Sequence, residues 1–229
     1  MKKILDALFK REKQKNVSAL CQTWSEVGQQ KELEYHITSE WRRSGDFMPQ
    51  TRILFEGFGF MPCHFSGKTI LDVGAGSQLR TLYFENAEII ALEPLGKEFI
   101  KKVDNQNLDK ASKLISEPAE KFIAEIEGKI DFVISINVLD HCYNFDQIVN
   151  NIYLYMKNKA TAFFSFDSHE TTDECHPLYL QLDNCLKIFE QTGFYVERYS
   201  TGMPDNFFEK YKTHTYGHGE HCLNFWLSK

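Results

Sequence analysis

No Cys-x-x-Cys pair and no regular spacing relates the six cysteines of this 229-residue chain, Cys21, Cys63, Cys142, Cys175, Cys185 and Cys222. Their arrangement therefore indicates neither a zinc site nor a disulfide framework, and the expectation is reduced thiols in a cytoplasmic protein. The chain also lacks any apolar run approaching a membrane span. The one short run near its start is interrupted by Asp6 with no small-residue cleavage site behind it, so no secretory signal is expected. A basic surplus is missing too: the formal charge is −6, which argues against nucleic acid as the main partner, because neutralising phosphates needs a basic face.

What is present suits one soluble domain. The composition is 42% hydrophobic and 14% aromatic, enough at this length to bury a sizeable core. The start of the chain is locally basic, with Lys2, Lys3, Lys10, Arg11, Lys13 and Lys15 outweighing Asp6 and Glu12. Ile4, Leu5, Leu8 and Phe9 would share one side of a short helix there, suited to docking on the chain's own domain, on a second subunit or on a membrane surface. The oligomeric state is open at this level.

The sharpest signal lies at residues 70–76, Ile-Leu-Asp-Val-Gly-Ala-Gly, an apolar strand that runs through Asp72 into a Gly-x-Gly turn. Gly74 and Gly76 carry no Cβ, so the backbone can turn sharply and let a nucleoside-sized ligand approach the main chain. A dinucleotide fingerprint would continue to a third glycine, and this chain has Leu79 there, which counts against a nicotinamide or flavin dinucleotide. Glu88–Leu92 reads as the next buried strand, and Glu93 ends it about 20 residues beyond Asp72, where an α/β cofactor fold sets a carboxylate against ribose hydroxyls.

From residue 68 onward, strands and helices alternate, which predicts an α/β fold with a mostly parallel sheet and helices on both faces. Strands are expected at Thr69–Val73, Glu88–Leu92, Lys113–Ser116, Asp131–Ile136, Ala160–Phe166, Phe194–Tyr199 and Cys222–Leu227, with a helix from about Leu178 to Thr192 ended by Gly193. Residues 1–65 read as a helical N-terminal extension rich in aromatics, including Trp24, Tyr35, Trp41, Phe47, Phe55, Phe58 and Phe60. Residues 66–229 form the main domain.

Asp72, Gly-x-Gly and the second acid together resemble the S-adenosylmethionine site of class I methyltransferases, whose Rossmann-like sheet has seven strands. That resemblance implies S-adenosyl-L-methionine as cofactor and S-adenosyl-L-homocysteine as product. It places Asp72, Gly74, Ala75, Gly76, Glu93 and Pro94 around the amino acid and ribose parts, Arg80 as a candidate for the carboxylate, and Asn137 under the methionine part. The turn Ser116-Glu117-Pro118-Ala119-Glu120 would meet the adenine, with Glu117 at its amino group and Ala119 at the ring edge; Pro118 stands where many relatives have the acid. Asn137-Val138-Leu139-Asp140-His141 after the fourth strand, with Glu93-Pro94-Leu95 and Glu32-Leu33-Glu34-Tyr35, is similar to methyltransferases associated with bacterial surface glycans and related metabolites.

Methyl transfer from a sulfonium needs little acid catalysis, because the leaving thioether is neutral, whereas an alcohol acceptor must lose a proton as it attacks. His141 is the candidate general base, with Asp140 orienting it or touching the acceptor. His169, His176 and His218, with Tyr35 and Trp41 of the extension, are candidates for binding a small or carbohydrate-like acceptor, a phosphorylated or phosphoramidate-bearing group included. The loop Asp167–His176 is rich in polar groups, but its spacing matches no standard metal motif, and no metal site is expected. Methylation at nitrogen, a catalytically silent binding module of the same fold and a nicotinamide-dependent oxidoreductase are the alternatives.

Overall fold

The structure, a computed structural model, describes residues 16–43, 45–204 and 221–229. The basic start of the chain and the loop with His214 and His218 lie outside the described residues.

Seven strands form one sheet: β1 (Thr69–Val73), β2 (Glu88–Leu92), β3 (Lys113–Ile115), β4 (Ile130–Ile136), β5 (Met156–Asp167), β6 (Tyr195–Thr201) and β7 (Cys222–Ser228). Their order is β3-β2-β1-β4-β5-β7-β6. Pairing is parallel from β3 to β5, and β7 runs antiparallel to both β5 and β6. The period of two sends Leu71 and Val73 to one face and Ile70 to the other. Leu71 and Val73 join Ile148, Ile152 and Phe189 in one core. Ile70, Phe132 and Ile134 pack with Leu54 and Phe55 in a second, and Ile89 and Ala91 with Phe99 in a third. The helices that cover these faces are α3 (Phe47–Gly57) and α4 (Gly96–Lys102) on one side, α5 (Phe145–Tyr155) and α6 (Leu182–Thr192) on the other.

Local chemistry sets the helix ends. Asn144 caps α5 by accepting a hydrogen bond from the Gln147 amide at 3.3 Å. Gly193 ends α6 at φ 107°, and the Phe194 amide donates back to the Phe189 carbonyl at 3.0 Å. Helix α6 starts four residues later than its sequence pattern suggests. The preceding stretch is held extended, with the Ser168 hydroxyl donating to the Leu180 carbonyl and the Gln181 amide to Ser168 Oγ. Strand β5 starts earlier than expected, since Met156 pairs with Ile130 before a register shift and Lys159 takes a positive φ of 66°.

The aromatic lead-in is helical from residue 16 to Thr38, with a π-helical turn at Trp24–Gly28 leading into α1 (Gln29–Thr38). A short α2 (Glu40–Arg43) and then α3 follow. The stretch lies over the carboxyl ends of the strands: His36 stacks on Phe99 of α4 at 4.2 Å. Gly28 meets the late loop so closely that a Cβ there would lie 2.9 Å from the Glu174 carbonyl oxygen. No helix among the described residues is long and apolar enough to cross a membrane.

Candidate active site

The sheet order reverses between β1 and β4, and a crevice opens there at the carboxyl ends of the strands. The residue after each strand continues the ladder by one bond: Gly74 N donates to Leu92 O at 2.8 Å, Glu93 N to Ile115 O at 3.0 Å and Asn137 N to Ser165 O at 2.7 Å. The three motif residues are thus fixed side by side at the mouth. They line a cleft, partly open to solvent, whose far wall is the lead-in.

Both motif glycines adopt left-handed φ, 69° at Gly74 and 61° at Gly76. A Cβ on Gly74 would overlap the methyl groups of Val138, and one on Gly76 would lie 3.1 Å from the His36 ring. The cradle is therefore closed to any side chain at these positions. Leu79, where a dinucleotide fold has glycine, is also left-handed at φ 46° and wholly buried among Ala75, Phe99 and Leu108.

The two acids sit deep. Glu93 accepts from the Gly76 amide through Oε2 and from the Leu95 amide through Oε1, both at 3.0 Å. Burial outweighs those bonds and pushes its pKa up to about 7. Asp72 accepts from Thr81 Oγ1 at 2.7 Å, and burial raises it to about 6. Ala75, Pro94, Ala119 and Asn137 also line the cleft. Arg80 lines it too, with Nη1 donating to Thr51 Oγ1 at 3.1 Å and its guanidinium 4.4 Å from the Phe47 ring centre.

Of the acids in the turn expected at the adenine side, the structure sets Glu117 off the cleft. Glu117 pairs with Lys121 at 2.7 Å on the surface and does not line the cleft; the acid that does is Glu120, three residues on. Glu120 accepts from the Tyr143 amide at 3.0 Å, and burial raises it to about 7. Tyr35 and Trp41 also stand outside the lining. Tyr35 is exposed beneath Arg42, and Trp41 Nε1 donates to Gln50 at 2.6 Å while the ring packs on Phe47 at 4.9 Å. The lead-in aromatics that reach the cleft are Trp24, Phe47 and Phe55.

The lead-in also contributes polar groups, Gln29, Glu32, His36 and Arg42, of which the sequence pointed only to Glu32. His36 Nδ1 accepts from the Ser77 amide at 3.3 Å and lies 2.8 Å from Ser77 Oγ, so the ring proton is on Nε2, which donates to Glu32 Oε1 at 3.1 Å. Burial, helped by the Arg42 charge, lowers His36 to about 4 and keeps it neutral. Burial works against the Glu32 charge as well, but the His36 hydrogen bond, His141 and Arg42 overcome it and hold the carboxyl at about 2. Two buried atoms on this wall have no partner, Gln29 Oε1 and Arg42 Nε. Only the acid-rich run at Glu32–Glu34 hinted at this wall in the sequence; Arg42 and His36 carried no local pattern.

At the other end of the cleft, His141 lines the wall, its Nε2 3.6 Å from Asp140 Oδ2 and its Nδ1 4.0 Å from Glu32 Oε2. Behind it the chain gathers Asp140, His169 and His176. His169 Nε2 lies 2.9 Å from Asp140 Oδ2, and the His176 ring stands 4.0 Å from that of His169 and 4.4 Å from that of His141. Asp140 is fully buried, which alone would raise its pKa, yet the surrounding imidazoles keep the carboxyl below its usual range. His218 is among the residues not described.

The donor set fits a sulfonium nucleoside. The cradle excludes a Cβ, Glu93 faces it, and the unpartnered Arg42 Nε and Gln29 Oε1 suit a carboxylate and an ammonium group. Residues 71–164 match the family model described as a methyltransferase domain. Three solved structures show the same fold. A SAM-dependent methyltransferase from Aquifex aeolicus is 15% identical with a TM-score of 0.56, over 87% of this chain and 97% of that one. The 1,6-didemethyltoxoflavin-N1-methyltransferase of Burkholderia thailandensis, solved with 1,6-didemethyltoxoflavin and S-adenosylhomocysteine, is 15% identical with a TM-score of 0.53, over 82% and 80%. A phosphoethanolamine N-methyltransferase 2 of Haemonchus contortus, solved with S-adenosyl-L-methionine, is 16% identical with a TM-score of 0.55, over 82% and 55%. No curated protein matches the chain by sequence. Residues 71–164 thus resemble a methyltransferase domain, and the chain shares its fold with S-adenosylmethionine-dependent methyltransferases. S-Adenosylmethionine is the cofactor of that class.

Proposed function

We propose that the chain transfers the methyl group of S-adenosylmethionine to an oxygen of a small or carbohydrate-like acceptor, in the cytoplasm. The observation that carries the oxygen reading is His141 at the cleft wall beside a buried, ionised Asp140. The acceptor hydroxyl gives its proton to the His141 imidazole as its oxygen attacks the methyl carbon. The carbon–sulfur bond breaks, and its electron pair stays on sulfur as a neutral thioether. Asp72, the Gly74–Gly76 turn and Glu93 hold the nucleoside, Ala119 and Glu120 stand at the adenine side, and Arg42 with Gln29 takes the amino acid end. The likeness of the Asn-x-Leu-Asp-His segment to enzymes of surface glycans supports a sugar-like acceptor.

Methylation at nitrogen is the second reading, and the similarity in fold to the toxoflavin N1-methyltransferase and the phosphoethanolamine N-methyltransferase favours it. An amine that reaches the site unprotonated needs no strong base. Turnover with tritiated S-adenosylmethionine on a panel of monosaccharides, nucleotide sugars and small amines separates the two. Loss of sugar methylation in His141→Asn supports the oxygen reading, and a variant with an unchanged pH–rate profile removes it. Calorimetry in which NAD binds and S-adenosylhomocysteine does not would remove the methyl-transfer reading itself.

A further inference from the structure

Asp140, His169 and His176 are too far apart in sequence for any metal motif, yet the fold brings one ligand atom of each within 4.8 Å of the others. Asp140 sits in the turn after β4, and the two histidines belong to the loop after β5, its neighbour in the sheet. Ligand atoms around an ion at 2.0–2.2 Å stand about 3–3.5 Å from one another. The separations from Asp140 Oδ2, 2.9 Å to His169 Nε2 and 4.0 Å to His176 Nε2, bracket that spacing. An independent observation points the same way: Asp140 is fully buried, and its Oδ1 has no hydrogen-bond partner. A carboxylate in that position is costly unless a cation or donor meets its second oxygen.

We propose that Asp140, His169 and His176 form a binding site for one divalent transition-metal ion. Two imidazoles and one carboxylate suit zinc, iron, cobalt or manganese, whereas magnesium and calcium prefer oxygen ligands throughout. Three protein ligands leave positions open, and the ring of His141, which lines the cleft, lies 4.4 Å from that of His176. An acceptor hydroxyl bound at an open position becomes more acidic, which eases its proton loss to His141. That last role rests on the methyl-transfer reading; the site itself does not. The loop is pinned for this purpose: Asp173 Oδ1 accepts from the amides of Cys175 and His176, both at 2.7 Å, and Glu174 pairs with Lys31 of α1 at 3.3 Å.

Full-length protein stripped with chelator and titrated with cobalt(II) chloride tests the site through the visible absorption of the bound ion, with zinc chloride calorimetry giving affinity and stoichiometry. One ion per chain is expected, bound equally by Cys175→Ser, which removes the neighbouring thiol as a source of the signal. His169→Ala and His176→Ala should each weaken binding at least about 100-fold, the upper end of what losing an outer-shell partner does. Circular dichroism and S-adenosylhomocysteine calorimetry on the same samples report folding and the cofactor site; if an alanine variant fails to fold, the asparagine variant replaces it. No cobalt signal in wild type, or affinity unchanged in both histidine variants, overturns the metal site. Retained S-adenosylhomocysteine binding in that case leaves the methyl-transfer reading standing, and its loss in wild type removes that reading separately.

Discussion

Gly74 and Val138 interlock: an ideal Cβ on the glycine would occupy the same space as the two methyl groups of the valine. The turn after β1 and the turn after β4, the two motifs that stand out in the sequence, are therefore one structural unit. Gly74→Ala would add this overlap to a left-handed φ of 69°. Strain of about 1–2 kcal/mol and overpacking of about 1–3 kcal/mol together predict a loss of roughly 2–5 kcal/mol in urea unfolding. Val138→Ala in the same chain should recover the packing part and leave the backbone part. A double variant no more stable than Gly74→Ala alone would show that the two side chains do not compete for this space.

The sheet was legible because its strands are short apolar runs bounded by turn residues, and Asp72, the glycines and Glu93 sit at strand ends, where local pattern fixes position. Glu117 and Glu120 show where local reading fails. Both are acids in one turn, and only the path of the turn after β3, with Glu120 meeting the Tyr143 amide, decides which faces the cleft. His36 and Arg42 were illegible for another reason. Their role comes from how the lead-in lies against the Ser77 turn and Phe99, contacts between segments some 40 to 60 residues apart. The gathering of Asp140 with His169 and His176 likewise depends on β4 and β5 being neighbours, which no spacing rule along the chain encodes.

Glu93 should make cofactor binding pH-dependent. Its pKa near 7 leaves it mostly protonated at pH 6, and ribose hydroxyls that donate to it prefer the ionised form. One proton must then leave on binding, so S-adenosylhomocysteine affinity should rise about tenfold between pH 6 and pH 8. Glu93→Gln should flatten that slope and weaken binding at pH 8 by roughly 10–100-fold, the worth of a charged hydrogen bond. Calorimetry in the two buffers checks both, and a pH-independent wild-type affinity would show that Glu93 does not meet the ligand.

Glu120 gives a stability signature without any ligand. Its folded pKa of about 7 lies above the ordinary 4.5, because burial penalises the charge. The folded chain therefore holds a proton that the unfolded chain releases, and the contribution is fully present below about pH 4.5 and lost as pH rises through about 7. The shift corresponds to at most about 3 kcal/mol. Glu120→Gln can still accept from the Tyr143 amide and carries no charge, so its thermal midpoint should exceed that of wild type at pH 8 and approach it at pH 5. Parallel melting curves for the two proteins at both pH values would sink the idea.

Arg42 separates the two ends of the cofactor. Its Nε is buried in the cleft wall without a partner, while its guanidinium lies 5.2–5.8 Å from the ring centres of Tyr35, Trp41 and Phe47. A cation fixed on aromatic faces with an unused donor suits the carboxylate of the methionine part. Arg42→Ala should weaken S-adenosylhomocysteine by about 10–100-fold, the value of a charge-assisted hydrogen bond. Methylthioadenosine keeps the nucleoside and lacks the carboxylate, so its affinity should not change. Because Arg42 also helps keep Glu32 ionised and His36 neutral, a purely structural role would weaken both ligands alike. Equal losses for the two would therefore reassign the carboxylate to Arg80, which faces the same cleft from the β1 side.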